Sequence, residues 1–353
     1  MKRFTLLVTI FFMISGCNFK PEPEPLPLSV NSTLNLLQEN PQFVMYLNFK
    51  SMRRSEFWQK NISDSLFNAE KTFGSLLNTF KMATGASISE GLDELYYSNS
   101  WFGENAIIMK GVFEKGKLNE YLTTDSLFSI AKYAGATPIY IKNDIGLYFF
   151  FKDDFTLCAS NYLKQLDIMN ETKDTSQTGL LANPNIYEAV RNIIYKEDLW
   201  MVSTEKIFIR GIFQNFVETT SGVKLEDYDS LNNSDPELLN DSAADNEKLS
   251  IINLYKKFNS ISFSAKMTKD LKFLVQCECI NEESAKYFRS ILNGVITVSK
   301  FSSARNKEPG SVKIFEKLKL DRYDNSVFIE LNVDETNLNE LRKTNLMSEP
   351  KSY

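Results

Sequence analysis

The chain has 353 residues, a net charge of −5 with histidine taken as neutral, and 43% apolar residues, close to the average for globular proteins. This length suggests two domains or one duplicated domain, and the acidic balance disfavours nucleic-acid binding, which relies on lysine and arginine to neutralise phosphates. The chain has no histidine, which excludes Ser-His-Asp and Cys-His catalysis and zinc sites with histidine ligands.

The first residues have the pattern of a secretion signal. Lys2 and Arg3 precede an apolar run from Phe4 to Ile14, which is shorter than the roughly 20 residues needed to span a membrane. The run ends in Ile14-Ser15-Gly16-Cys17, which resembles the lipobox of bacterial lipoproteins. The resemblance implies that residues 1–16 are a signal peptide, that the signal peptidase recognises Ile14, Ser15 and Gly16, and that Cys17 carries the lipid.

The same resemblance implies permanent attachment to a membrane outside the cytoplasm by several acyl chains, palmitate among them. Asn18 favours the outer membrane, with the protein facing the periplasm, because aspartate at that place tends to retain lipoproteins at the inner membrane. Residues 17–36 are predicted to form a tether, since the alternating prolines between Lys20 and Pro27 favour an extended polyproline II path.

The first half, residues 37–196, is predicted to alternate strands and helices. Residues 42–49 form a strand, and a helix follows with Leu66, Phe73 and Phe80 on its apolar face. The remaining predicted elements are hairpins at 93–113 and 138–151, a short helix at 118–122, a strand at 155–159, and a helix at 187–194 capped by Asn183.

The second half, residues 197–353, is predicted to repeat this order. A strand at 199–203 precedes a helix with Ile209, Phe213 and Phe216 on one face. A hairpin at 260–280, a helix after Asn281, a closing hairpin with strands at 312–319 and 326–333, and a last helix capped by Asp334 follow.

Each half therefore has the order strand, helix, hairpin, helix, hairpin, helix. The predicted fold class is α+β, with two similar halves that are each an antiparallel sheet with helices packed on one face. Duplication of one module is the favoured explanation. The alternative is coincidence, because a hairpin followed by a helix is a common unit.

Residues 225–247 interrupt the second half with eight acids and no base. This composition favours an acidic, mobile insertion at the surface. A calcium site is the alternative, because hard cations prefer clustered carboxylates, although the EF-hand pattern is not met.

Three cysteines remain beside the lipidated one. Buried thiols are expected, and the alternative is a disulfide between Cys158 and either Cys277 or Cys279, which would suit an oxidising compartment. Three cysteines without histidine make a poor metal site. We therefore predict no metal and no cofactor.

No catalytic motif is recognised. The Gly-x-Ser-x-Gly, P-loop and Gly-x-Gly-x-x-Gly patterns do not occur, and the Ser-x-x-Lys matches lack the Lys-Thr-Gly-type strand of β-lactamases. The prediction is a non-enzymatic, lipid-anchored envelope protein with a binding or structural role, in contact with the membrane and another envelope protein. The globular part resembles only envelope lipoproteins of unknown function.

Two other functions stay open. One is an envelope glycan hydrolase, which would hold paired carboxylates in a cleft lined by aromatic residues. The other is a carrier of apolar molecules, indicated by the 27 phenylalanines of the chain and by aromatic strands such as residues 146–151. The carrier would contain a phenylalanine-lined cavity.

Overall fold

The computed structural model describes residues 20–62, 73–173, 176–221, 254–306 and 317–338. Within these ranges no helix is long and apolar enough to cross a membrane. The helices are α1 (Leu28–Leu34), α2 (Phe49–Arg54), α3 (Glu56–Asn61), α4 (Phe73–Thr84), α5 (Lys115–Thr124), α6 (Leu163–Glu171), α7 (Pro184–Arg191), α8 (Lys206–Ser221) and α9 (Glu282–Asn306).

The strands of the described residues form one sheet of 12 strands in which all neighbours are antiparallel. They are β1 (Phe43–Asn48), β2 (Leu92–Asn99), β3 (Asn105–Gly111), β4 (Phe128–Ala134), β5 (Thr137–Lys142), β6 (Leu147–Phe151), β7 (Thr156–Ser160), β8 (Leu199–Ser203), β9 (Phe258–Met267), β10 (Leu271–Cys279), β11 (Lys319–Tyr323) and β12 (Ser326–Val333). Their order across the sheet is β11-β12-β10-β9-β8-β1-β2-β3-β7-β6-β5-β4.

The two halves meet at the pair β1–β8, where Val44 lies opposite Val202 and Tyr46 lies opposite Trp200. The first three strands of each half follow one another in the sheet, as β1-β2-β3 and as β8-β9-β10. In both halves the last strand along the chain then pairs with the third. The shared order agrees with an α+β fold of two similar halves, while duplication itself stays a prediction.

Helices cover both faces of the sheet in the first half, so the prediction of helices on one face is wrong there. One face carries Tyr46 and Trp200, and we call it the Trp200 face. Three helices pack against the strands on this face, namely α1, α6 and α7. The opposite face carries Phe149, and we call it the Phe149 face. Helices α2, α4 and α5 pack against the strands there. The physical reason lies in strands such as β3, where residues 106–109 are all apolar and buried, as expected of a strand covered on both sides.

The second half follows the prediction more closely. Strand β9 alternates Ser260, Ser262 and Ser264 on the Trp200 face with apolar residues on the Phe149 face. Helices α8 and α9 pack on the apolar side. The other side carries small polar residues in place of apolar ones, and Ser260, Ser262 and Ser264 are buried there as well.

The Trp200 face of the second half carries the N-terminal segment, residues 20–27. The Glu24 amide donates to the Ile194 carbonyl at 3.0 Å, and the Lys20 ammonium donates to the Ser326 hydroxyl at 2.9 Å. Helix α1 follows, with Val30 and Leu34 buried in the core. The tether predicted for residues 17–36 is therefore wrong for residues 24–36, which belong to the folded part.

One predicted hairpin strand is also misplaced. Of the strand expected at 312–319, residues 312–316 lie outside the described residues. The described strand is Lys319–Tyr323, which pairs with β12 through a turn at Asp324. The caps predicted at Asn183, Asn281 and Asp334 are confirmed, since each side chain accepts a backbone N–H two or three residues ahead. The acidic insertion, residues 225–247, lies outside the described residues.

Candidate functional site

An apolar cavity of about 280 Å³ lies in the second half, on the Phe149 face of the sheet. Helices α8 and α9 form one wall, and strands β9, β10 and β12 form the other. The volume is close to the lower end of the range for small-molecule sites, about 300–1,000 Å³.

The walls of the cavity are hydrocarbon apart from one sulfur atom, among the residues that the structure describes. Five of the lining residues are phenylalanines, and Cys277 contributes the thiol. The phenylalanines are Phe213, Phe258, Phe263, Phe273 and Phe288. Such walls offer water no hydrogen-bonding partners, so a guest in this space must be apolar.

The sequence builds these walls through two periodicities. On β9 and β10, residues at every second position face the cavity, among them Ile261, Phe263 and Val275. On α9, Phe288, Leu292 and Ile296 recur at intervals of four residues and form one stripe along the helix.

Contacts between aromatic rings hold the two walls in place. The ring of Phe288 on α9 meets Phe258 on β9 edge to face, with centroids 4.8 Å apart, and lies 5.9 Å from Phe213 on α8. Edge-to-face pairs of this kind add about 0.5–1.5 kcal/mol beyond the burial of their surface. The helices are thus fixed to the sheet at these rings, beside the open space.

The same face of the first half is closely packed. A cavity lined by Leu77, Phe80 and Phe113 measures about 10 Å³ there, which is room for about one water molecule. Rings fill the interior, as in the edge-to-face pair of Phe80 and Phe149. Among the described residues, the cavity on this face of the first half is therefore much smaller than that of the second half, although the strand order matches.

The cysteine thiols are buried and neutral. Burial raises the pKa of Cys277 well above its usual value and raises the pKa of Cys158 to about 12. Burial also raises the pKa of Cys279 to about 12. The Cys277 thiol is thus an uncharged part of the cavity wall.

The three thiols are free and buried, as expected, so the alternative of a disulfide between Cys158 and Cys277 or Cys279 is wrong. Cys158 lies on β7 and the other two lie on β10, with five strands between them. At about 4.8 Å per strand this separation is close to 30 Å, whereas a disulfide needs Cα atoms within about 7 Å.

The other predicted sites either lie outside the described residues or have no counterpart in the described parts of the structure. The lipobox Ile14-Ser15-Gly16-Cys17 lies outside the described residues, as does the acidic segment weighed as a calcium site. Within the described ranges, no three metal-ligating side chains come together. The walls of the two cavities described above contain no carboxylate, so the paired carboxylates of a glycan hydrolase have no location in them.

The sequence predicts a phenylalanine-lined cavity but not its location in the fold. The aromatic excess indicated a phenylalanine-lined cavity, yet the strand chosen to illustrate it, residues 146–151, places Phe149 and Phe150 in the packed cores of the first half. The residues that do line the cavity show ordinary strand and helix periodicity. Periodicity identifies a buried face and carries no signal for whether the space behind it is filled.

No protein-family model matches the chain, and comparison with curated proteins gave no match. Among solved structures, crystal form I of TP0453 is 9% identical, with a TM-score of 0.46 over 94% of this chain and 100% of that chain. Crystal form III of TP0453 is 8% identical, with a TM-score of 0.45 over 88% of this chain and 97% of that chain. These similarities are too low to indicate a shared function.

Proposed function

We propose that the protein is a lipid-anchored protein of the bacterial envelope that binds a hydrocarbon chain, such as the acyl chain of a lipid, in the cavity between α8, α9 and the sheet. The cavity is the observation that carries the proposal. Its phenylalanine walls match the chemistry of an acyl chain and exclude polar guests.

The proposed location in the cell envelope rests on the sequence. The lipobox-like residues Ile14 to Cys17 support lipidation of Cys17, and Asn18 supports the outer membrane with the protein facing the periplasm. A protein anchored to a bilayer lies next to lipids, which makes their acyl chains the natural source of the guest. The Cys277 thiol, the one reactive atom in the described wall, is buried and neutral, which supports a non-enzymatic binding role.

Binding of a fluorescent fatty acid tests the proposal. Lipid-free protein carrying Cys17→Ser should bind cis-parinaric acid, whose fluorescence rises when water is excluded. Val275 lines the cavity on β10, and Val275→Phe keeps a residue suited to a strand while filling part of the space. We expect its affinity to fall by about five- to 150-fold, because overpacking a filled apolar space costs about 1–3 kcal/mol.

The matched control is Val112→Phe. Val112 is exposed after the end of β3, in the first half, and does not line the cavity. This variant adds the same ring and should bind cis-parinaric acid as the parent does. Equal affinity for Val275→Phe and the parent would show that the fatty acid binds elsewhere, and the proposal would fall.

A further inference from the structure

The antiparallel order of the strands brings several loops to one end of the sheet. Strands β2, β7, β8 and β10 end there, and β1, β3, β9 and β12 begin there. We call this the Phe102 end, after the residue at the tip of the β2–β3 turn. The opposite end carries the turn between β6 and β7, with Phe155.

The Phe102 end exposes large apolar side chains on neighbouring loops. Phe102 is 91% exposed and Trp101 beside it is 46% exposed, while Ile207 at the start of α8 is 64% exposed. Tyr162 and Ile280 follow the ends of β7 and β10 and are exposed as well. Tryptophan and tyrosine are the residues that proteins place at the boundary between lipid and water.

Hydrogen bonds hold this surface in shape. The Asn161 amide side chain donates to the Gly103 carbonyl at 2.9 Å, which ties the β2–β3 turn to the loop after β7. The Trp101 indole donates to the Glu205 carboxylate at 3.3 Å, which ties the same turn to the loop before α8. The turn that carries the exposed rings is therefore held to two neighbouring loops by hydrogen bonds.

The anchored end of the chain leads to the same place. Four residues before Glu24 in the chain is Lys20, whose ammonium donates a hydrogen bond to Ser326 at the Phe102 end. Cys17 precedes Lys20 by three residues, a length of at most about 11 Å. Because residues 24–36 are docked, little free chain remains to hold the fold away from the bilayer.

We propose that the Phe102 end rests on the bilayer that holds the lipid of Cys17, with Phe102 and Trp101 inserted at the level of the headgroups. This inference rests on the proposed lipid anchor and adds an orientation to it. Helix α8 starts at this end, and Phe258, a lining residue, begins β9 there. In this orientation one end of the acyl-chain cavity lies next to the lipid surface.

Quenching by brominated lipid tests the orientation. The full lipidated protein is reconstituted in phosphatidylcholine vesicles with and without bromine on the acyl chains, and its tryptophan emission is compared. Trp101 should be quenched, whereas Trp200 is buried in the core and Trp58 lies on α3 at the opposite end. Emission should therefore fall in bromolipid, and Trp101→Phe should abolish the decrease.

Two further variants separate docking from general effects. Phe102→Asp places a charge at the tip and should lose most of the decrease. Phe155→Asp makes the same change at a residue 65% exposed at the opposite end and should retain it. Both side chains are exposed, so neither variant should impair folding, and unchanged circular dichroism confirms this.

The outcomes distinguish the docking from the anchor. Protein that stays in the aqueous fraction during flotation would overturn the anchor and this inference together. Protein that floats with the vesicles but emits equally in both lipids would overturn the docking alone and point to a protein partner for the exposed rings. Equal loss of quenching in Phe102→Asp and Phe155→Asp would also overturn it.

Discussion

Gly179 shows how a single residue can fix the path of the N-terminal segment. It has a φ of +55°, and a Cβ added there would lie 2.3 Å from the Asn35 carbonyl oxygen and 2.4 Å from that of Leu37. Only glycine adopts this backbone conformation at little cost and leaves room for the neighbouring chain. The close approach joins the region after α6 to the residues that follow α1.

Gly179→Ala should therefore destabilise the protein more than the same change at a glycine with open surroundings. Gly146 is the matched position, with a φ of +60° and nothing within 4 Å of an added Cβ. Gly146→Ala should cost about 1–2 kcal/mol from backbone strain alone. Gly179→Ala adds the clash and should lower the urea-unfolding free energy further; equal losses would contradict the close approach.

At the scale of elements, the N-terminal segment is held by a cluster of charges. The ammonium of Lys196 donates to the carbonyls of Glu24, Arg191 and Ile193, and its burial lowers its pKa to about 8. The Glu24 carboxylate accepts from Lys266 at 2.8 Å and from the Lys196 amide at 2.8 Å. Burial raises the pKa of Glu24, but these bonds outweigh it and hold the pKa below its usual 4.5.

This cluster predicts the behaviour of the segment under hydrogen exchange. Glu24→Gln should speed exchange of amides in residues 24–36 by about tenfold, since hydrogen bonds to charged groups contribute about 1.5–3 kcal/mol. Glu22→Gln changes an exposed carboxylate two residues away and is the control. If both variants exchange at the parent rate, the segment is held by other contacts.

Acid should have the same effect on the parent protein. The folded carboxylate of Glu24 has a lower pKa than the unfolded one, for which 4.5 is the reference. Its stabilising contribution is therefore complete above about pH 4.5 and is lost as the pH falls through the folded value. The segment should loosen over that range in the parent and show no such change in Glu24→Gln.

The elements that could be predicted from the sequence are those with a local signal. Helices α7 and α9 follow Asn183 and Asn281, whose side chains cap them, and these caps identify both starts, although α7 ends at Arg191 and not at residue 194. Helices α1 and α6 follow Pro27 and Tyr162, neither of which makes a capping bond, and both were missed. Their positions depend on tertiary contacts such as those of Leu34 and Leu166, which no local pattern shows.

Among the strands, those in the interior of the sheet could be predicted from the sequence and those at its edges could not. The paired interior strands alternate or run continuously apolar, and they were predicted within a few residues. The one strand that was missed, β4, and the one that was misplaced, β11, are the two edges of the sheet. Edge strands bury little and carry charges such as Lys132 and Arg322. The cavity behind β9 and β10 could not be located because it depends on how far two helices stand from the sheet.

At the scale of the whole molecule, one continuous sheet joins the halves. The pair β1–β8 is covered on the Trp200 face by a core that includes Tyr46 and Trp200, one from each half. A boundary crossed by strand pairing and a shared core leaves neither half a complete unit. The halves should therefore unfold together.

The buried thiols provide one reporter for each half. Cys158 lies in the first half and Cys277 in the second, and both are inaccessible in the native protein. Pulsed alkylation across a urea titration, read by mass spectrometry, should give the same midpoint for both peptides. Separate midpoints would show that the halves are independent domains.

The docking of the N-terminal segment also sets an order of events during synthesis and the export that we propose. Lys20 and Glu24 leave the ribosome early and, in the export that we propose, would cross the membrane early, yet their partners Ser326 and Lys266 come from the last third of the chain. Contacts across so long a stretch of chain form slowly, because the intervening loop must close first. The N-terminal segment can therefore dock only after the last third of the chain has been made. Until then, the proposed lipid site at Cys17 would be joined to a segment that has not yet found its partners.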